Sequence, residues 1–461
     1  MNEYTDFLSG KQRQLKPMGF EPDDDGMCNQ LHDWQRKVVH WSVRRGRAAL
    51  FEECGLGKTL QQLEWARCVF RHTGKPVVIH CPVGVRSQTK REAAKFSIGC
   101  EVEVVNRQAD IVDGINLVNY EKMHHFEDQD WGGVVLDESS ILKSFTGKTK
   151  RQLIDRYAYT PYRLACTATP APNDYMELGN HADFLGVMPS NEMLSRWFIN
   201  DTMKAGGYRL KTHGSDDFWR WVSTWATCIS RPSDIGGCDE GYDLPELIEK
   251  EYIVDVDEVD VPSGQLFATS GISATTIHKT KRHSTTERAA RVSELIRNEP
   301  DESWIVWCNT NYESEALVKA IPESVEVRGS DSDSVKESKL LAFANGNCMR
   351  FVSKPSLSGF GMNWQHCRRV AFIGLSYSFE QYYQAVRRTW RFGQERPVHV
   401  HIIVTDAEYA ANKAVKTKQA QFAVMQHAMA DAMQNAIGSD MSELERDFYN
   451  ANTKMEQPRW T

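Results

Sequence analysis

The sequence predicts an α/β fold of two lobes in tandem, each a mostly parallel sheet flanked by helices, and three observations carry that prediction. Short apolar runs rich in β-branched residues alternate with helix-like segments, the pattern of a parallel sheet with helices on both faces. The runs fall into two sets, one before residue 170 and one after residue 300. Between the sets, residues 255–260 are acidic and residues 262–286 are dense in Ser, Thr and Gly with little apolar periodicity, which marks a connection between lobes.

In chain order, the first set comprises Ala48-Ala49-Leu50-Phe51, Val77-Val78-Ile79, Ile115-Asn116-Leu117-Val118, Val134-Val135-Leu136 and Arg163-Leu164-Ala165-Cys166. The second comprises Trp304-Ile305-Val306-Trp307, Arg350-Phe351-Val352, Val370-Ala371-Phe372-Ile373 and the run from Val398 to Val404. After Val404, Thr405 and Glu408 form a capping-box pattern, an alanine-rich stretch follows, and Gly438 stands where a helix stop is expected. Phe422, Met425, Met429 and Met433 recur at three- and four-residue spacing, so one apolar stripe of a long helix packs on a lobe. The aromatic segment Phe218-Trp219-Arg220-Trp221-Val222-Ser223-Thr224-Trp225 has the residues of a base-stacking platform. Its spacing favours packing in a core or against the other lobe.

At 461 residues the chain is too long for one ordinary core, and two domains is the simplest count. Hydrophobic residues make up 41% and charged residues 25%, the mix of a soluble globular protein. No apolar run is long enough to span a bilayer, and the N-terminus lacks the basic-then-apolar pattern of a signal peptide, so a cytoplasmic location with no membrane partner is expected. Eleven scattered cysteines with no Cys-x-x-Cys pair suggest neither a disulfide framework nor a zinc site. A net charge of −7 is no nucleic-acid footprint, so any nucleic-acid surface must be a local groove.

The segment Gly55-Leu56-Gly57-Lys58-Thr59 follows a short apolar run and precedes Leu60-Gln61-Gln62-Leu63-Glu64-Trp65-Ala66, which reads as a helix. That is the strand, loop, helix context of a phosphate loop. Glycines let backbone N–H groups curl around phosphate oxygens, and the helix N-terminus adds its positive end. In this reading Lys58 reaches the β and γ phosphates of ATP and Thr59 holds Mg²⁺ through its hydroxyl. Glu52 stands where such loops usually have their first glycine. In the same lobe, Val134-Val135-Leu136-Asp137-Glu138 is an apolar strand ending in two carboxylates. Strand ends in open α/β sheets face the ligand crevice, so Asp137 can hold Mg²⁺ and Glu138 can orient or deprotonate the attacking water.

Read in order over roughly residues 31–405, these segments resemble superfamily-two helicases, and most closely the Swi/Snf-type translocase branch. Leu31-His32-Asp33-Trp34-Gln35 resembles the family's adenine-recognition motif, in which Gln35 reads the base edge. His80-Cys81-Pro82 resembles the first DNA-contact motif and Val118-Asn119-Tyr120-Glu121 the next. Asp137-Glu138-Ser139-Ser140 stands where the family usually has Asp-Glu-Ala-His, and Leu164-Ala165-Cys166-Thr167-Ala168-Thr169-Pro170 matches the coupling motif, with Asn173 following. Gly359-Phe360-Gly361-Met362-Asn363 resembles the fifth motif, and Gln384-Ala385-Val386-Arg387-Arg388-Thr389-Trp390-Arg391-Phe392-Gly393-Gln394 the sixth. The resemblance implies two RecA-like lobes, with Gly361 and Gln384 at the nucleotide and Arg388 and Arg391 as arginine fingers. Residues 384, 388 and 391 stand four and three apart, hence on one face of a helix, so both guanidiniums point at one phosphate cluster.

The expected organisation is an N-terminal tail (1–27), an ATP-binding lobe (28–250), a linker (251–286), a C-terminal helicase lobe (287–405), and a long helix with its tail (406–461). Three departures stand out. Ser140 replaces the histidine that often links the nucleotide to the coupling motif. Ser356 and Ser358 stand where the branch commonly has Arg and Gly, with Lys354 nearby to compensate. The segment between Pro170 and the second lobe is short for the protrusions of eukaryotic remodellers, which suggests a minimal engine of bacterial or viral type. The implied function is an ATP-dependent, Mg²⁺-requiring motor on double-stranded DNA. The alternatives are an RNA helicase of the same superfamily and a non-catalytic nucleotide-binding scaffold.

Overall fold

Within each of the two large sheets every strand runs parallel to its neighbours, so all strand carboxyl ends of a sheet lie along one edge. The structure, a computed structural model, describes residues 18–437 except 25, 128, 145–146, 202–206, 255–280, 360–361 and 406–407. The first lobe contains β1 (Arg47–Glu52), β2 (Val77–Cys81), β3 (Glu101–Val104), β4 (Gly114–Asn119), β5 (Gly133–Asp137), β6 (Tyr162–Thr167), a hairpin of β7 (Phe198–Asp201) and β8 (Gly207–Leu210), and β9 (Ala226–Ile229). Its sheet runs β3-β4-β2-β5-β6-β1-β9. The second lobe contains β10 (Leu247–Ile253), β11 (Trp304–Trp307), β12 (Val325–Glu326), β13 (Arg350–Ser353), β14 (Arg369–Ile373) and β15 (Val398–Val404), in the order β10-β15-β14-β11-β13-β12. Covered by helices on both faces, the inner strands are buried along their length, which is why they read as continuous apolar runs. The expected fold of two RecA-like α/β lobes is therefore the observed one.

Two boundaries move. The first lobe was expected to run to residue 250, but Leu247–Ile253 pairs in parallel with Val398–Val404 of the second sheet. The chain crosses between lobes before Leu247, because the open edge of β15 offers a full ladder to an extended segment. The expected tail 1–27 is also shorter than predicted. Phe20 stacks on His72 at 3.8 Å and meets Tyr162 edge-on, while Met27 is buried. Gly19 donates its N–H to the Arg44 carbonyl, and a Cβ there would lie 1.9 Å from the Val43 oxygen, so only glycine permits this approach. The interlobe stretch 255–280, including most of the Ser/Thr/Gly-rich segment, lies outside the described residues, as does Gly438.

After β15, the Glu408 carboxylate accepts from the Thr405 N–H and hydroxyl while the Glu408 N–H bonds to the Thr405 carbonyl. Half of the expected capping box forms, the Thr405 hydroxyl donating where it was expected to accept, and a 29-residue helix runs from Tyr409 to Ile437. At 1.5 Å per residue it is about 43 Å long. It packs on both lobes rather than on one. Phe422 meets Phe379 and Tyr383 of the second lobe at 5.3 and 5.4 Å, while the helix lies along Ser215–Ser223 and β9 of the first. The Tyr175 hydroxyl donates to the Gln421 carbonyl, and Lys418 donates to Asn173. The predicted stripe of Phe422, Met425, Met429 and Met433 is buried throughout.

Candidate active site

The phosphate loop leaves the carboxyl end of β1, an inner strand next to the edge, which is held by parallel ladders to β6 on one side and β9 on the other. Gly55 (φ 97°) and Gly57 (φ 81°) adopt left-handed conformations that side chains resist, and Gly57 caps the helix Lys58–Thr73. Lys58 lies folded over its own loop, its Nζ donating to the carbonyl oxygens of Glu52 (2.7 Å) and Glu53 (3.0 Å). Thr59 sits in the first helical turn, half-buried. Leu56 is buried beneath the loop, and its carbonyl accepts from Gln35 Nε2 at 2.8 Å. Gln35 Oε1 accepts from the His32 N–H, so the amide is oriented at both ends against the loop.

Glu52 does not obstruct the loop. Its carboxyl is buried beneath it, where Oε2 accepts from Gln61 at 2.9 Å and Oε1 has no partner among the described residues. Burial pushes its pKa up to about 7, against the opposing pull of the Lys58 charge.

Asp137 ends β5 and Glu138 follows in a left-handed conformation (φ 58°, ψ 55°), a strained geometry for a residue with a side chain. It turns the chain sharply, leaving both carboxyls at the crevice floor, partly open to solvent. The Tyr120 hydroxyl donates to the Asp137 carbonyl at 2.7 Å, and Gln62 from the phosphate-loop helix donates to Asp137 Oδ1 at 2.8 Å. The surrounding protein raises the Asp137 carboxyl above its ordinary range, and desolvation with the neighbouring Asp137 charge brings Glu138 to about 7. Thr167 of the coupling motif donates to Glu138 Oε2 at 3.4 Å. In the position without the family's histidine, Ser140 is buried, and Ser139 instead pairs with His181 at 3.1 Å.

The second lobe reaches this crevice through the helix Phe379–Val386 and the turn after it. The expectation of Gln384, Arg388 and Arg391 on one helical face needs correction, since the helix ends at Val386. The ladder tightens there: the Arg388 N–H bonds to Ala385 and the Thr389 N–H to Val386, while the Gln394 side chain donates to the carbonyls of Gln365, Cys367 and Thr389 and staples the turn. Arg388 nevertheless lies on Gln384, donating to its side chain (3.0 Å) and carbonyl (3.1 Å), and to the Met362 carbonyl. Gln384 itself reaches Thr169 of the first lobe's coupling motif at 3.5 Å. The Arg391 Nε has no partner among the described residues. Phe392 is packed so closely on the loop that a Cβ on Gly55 would sit 3.1 Å from its ring.

Sequence reasoning missed three residues here. Glu53, Tyr383 and Arg387 join the lobes: Arg387 Nη2 lies 2.7 Å from Glu53 Oε2, and the Tyr383 hydroxyl donates to Glu53 Oε1. The available signal was an acidic residue abutting the phosphate loop and a doubled arginine in the sixth motif. Lys143 with Glu380, and Arg86 with Asp333, add further interlobe ion pairs.

Other expectations fare differently. Gly361 lies outside the described residues. His80 and Cys81 are enclosed in β2, His80 bonding to the Tyr157 hydroxyl with its pKa lowered by burial to about 3, so neither faces a nucleic acid. Phe218, Trp219, Trp221 and Trp225 are all buried, Phe218 and Trp221 against Trp197, Trp219 against Tyr175 and Trp225 against Phe51, which makes them packing residues and not a stacking platform. Lys354 donates to Asn311, and Ser358 bonds to Ser353. No helix among the described residues is long and apolar enough to cross a membrane, and no cluster of three or more His, Cys, Asp or Glu among them could hold a metal ion.

The SNF2-related domain family matches residues 34–215 and the helicase conserved C-terminal domain family matches residues 287–393. Helicase SWR1 of Candida albicans is 27% identical over 232 residues, 45% of this chain and 13% of that protein. DNA excision repair protein CSB of Oryza sativa subsp. japonica is 25% identical over 222 residues, 35% of this chain and 18% of that protein. A SWI/SNF-related matrix-associated actin-dependent regulator of chromatin subfamily A-like protein 1 of Bos taurus is 21% identical over 430 residues, 83% of this chain and 43% of that protein. These matches span less than a fifth of the first two proteins and under half of the third. Among solved structures, the Sulfolobus solfataricus SWI2/SNF2 ATPase core in complex with dsDNA aligns at 19% identity with a TM-score of 0.42, covering 92% of this chain and 98% of that one.

Proposed function

The chain belongs to the Swi/Snf-type branch of the superfamily-two helicases, and from that premise we propose that it is a nucleic-acid-stimulated ATPase that travels along double-stranded DNA by closing and opening its lobes. One observation carries the reading. The turn bearing Arg388 and Arg391 comes from one lobe and meets the phosphate loop of the other, with Phe392 packed on Gly55. Hydrolysis assembled from two lobes is hydrolysis that lobe movement can control.

The residues divide the work. On binding ATP, Lys58 exchanges the Glu52 and Glu53 carbonyls for phosphate oxygens, and the N–H groups around Gly55 and Gly57 receive the polyphosphate. The Gln35 amide, already held by His32, meets the base edge. Glu138 takes a proton from the attacking water as it forms a bond to the γ-phosphorus, and the bond to the β-γ bridging oxygen breaks, releasing ADP and phosphate. Arg388 and Arg391 stabilise the charge that spreads over the phosphoryl oxygens in the transition state.

The Thr59 hydroxyl and the Asp137 carboxylate are hard oxygen donors, and the adjacent Asp137 and Glu138 carboxyls, both pushed up chiefly by desolvation, would be relieved by a dication, so Thr59 and Asp137 would hold Mg²⁺. When bound, Mg²⁺ supplies charge neutralisation between phosphate groups. Thr167 on Glu138 and Gln384 on Thr169 give the hydrolytic site a contact chain into the second lobe without the family's histidine.

Phosphate release measured without polymer, and with single-stranded DNA, duplex, forked DNA and RNA, tests the proposal, with strand displacement read alongside. Duplex should stimulate turnover most, without displacement. Equal turnover with and without duplex sinks the motor reading; stimulation by RNA alone replaces it with an RNA helicase; no turnover under any condition leaves a nucleotide-binding scaffold.

A further inference from the structure

Glu53 and Arg387 lie 334 positions apart and meet with both side chains almost wholly buried, at 6% and 7% exposure. Glu53 carries three donors: the Cys54 N–H and the Tyr383 hydroxyl on Oε1, and the Arg387 guanidinium on Oε2. Arg387 is further held between aromatic faces, 4.3 Å from the Trp390 centroid and 5.3 Å from that of Tyr383. Removing two charges from water is costly, so a buried pair with this many directed contacts does little for stability but tolerates few alternative geometries. It joins the residue before Cys54-Gly55 to the residue before Arg388.

We propose that Arg387 is a positioning residue, whose buried ion pair with Glu53 fixes the register of the sixth-motif turn on the phosphate loop before nucleotide arrives. Arg388 and Arg391 are thereby carried to the crevice as a rigid unit. Arg387 acts through them and has no need to touch a phosphate. Loss of the pair leaves Lys58, Gly55 and Gly57 intact for binding while the turn drifts. Displacements of about an ångström cost on the order of a hundredfold in rate when reacting groups must be aligned.

This assignment rests on the proposed ATPase for its kinetic consequence, so the test begins with a measurement that needs no turnover. Donor and acceptor dyes are introduced through unnatural side chains at Tyr159 and Arg297, exposed positions on opposite lobes, in the full nucleotide-free chain. The native protein should give one narrow transfer-efficiency distribution, and Arg387→Met a broad or shifted one. In steady-state ATP hydrolysis with duplex DNA, Arg387→Met should lower kcat about tenfold or more while the directly titrated nucleotide Kd changes less than about threefold, the mark of an interaction felt only in the transition state. Arg387→Lys and Tyr383→Phe, which keep the charge or the ring, should give intermediate distributions and turn Arg387→Met into one end of a series should that variant fail to fold. Distributions identical to the native one in the folded variants overturn the proposal, as does an unchanged kcat despite a broadened one. A native chain with no ATPase activity overturns the motor reading while the dye distances still decide the latch.

Discussion

Lys58 is where the protein's own backbone competes with the proposed phosphate, since the carbonyls of Glu52 and Glu53 bond its ammonium group. Lys58→Ala should abolish ATP hydrolysis in a phosphate-release assay, and retained turnover would remove the assigned site. Glu52 makes a second prediction, about stability. Its folded pKa of about 7 lies above the ordinary 4.5, so the folded chain binds more protons than the unfolded one between those values. The stability present below pH 4.5 is therefore lost as pH rises through 7, by about 3 kcal/mol at most. In urea unfolding of the nucleotide-free protein, Glu52→Gln should exceed the native chain in stability at about pH 8.5 and approach it below about pH 4.5; a gain independent of pH would refute the assignment. The substituted glycine was visible in the sequence. Its harmlessness was not, because only the packed loop reveals that the carboxyl lies underneath, against Gln61.

At the scale of elements, the long C-terminal helix behaves as a clasp. Its stripe was legible because a buried helical face repeats every three to four residues. Which surface it covers was not, since periodicity identifies a face and not its partner. Phe422 sits where the helix spans Phe379 and Tyr383, and it is 4% exposed. Phe422→Ala should cost about 3–5 kcal/mol, read from the shift in denaturation midpoint, and a cost below about 1 kcal/mol would mean that the helix is held elsewhere. The turn 387–391 teaches the converse. Spacing of four and three fits a helix, yet local 3₁₀ bonding and the Gln394 staple end the helix at Val386. Gln384 and Arg388 still touch, through a turn instead of a helical face.

For the whole molecule, a net charge of −7 gives no overall attraction for a polyanion, so the proposed binding of DNA would depend on a local cluster of phosphate contacts. The duplex-stimulated turnover should accordingly fall with salt. At subsaturating DNA, roughly five phosphate contacts correspond to a few-hundredfold loss of apparent affinity between 50 and 200 mM salt. A salt-independent response would argue against backbone tracking. The strands, the phosphate loop and the paired carboxylates were set by the sequence itself, because each depends on neighbours a few residues away: apolar alternation, glycines free to take positive φ, a strand that ends in acid. The tertiary structure decided the rest. β10 crosses to the second sheet, the final helix spans both lobes, and Arg387 finds Glu53, because such contacts join distant stretches of chain through shape and charge and leave no periodic trace in either.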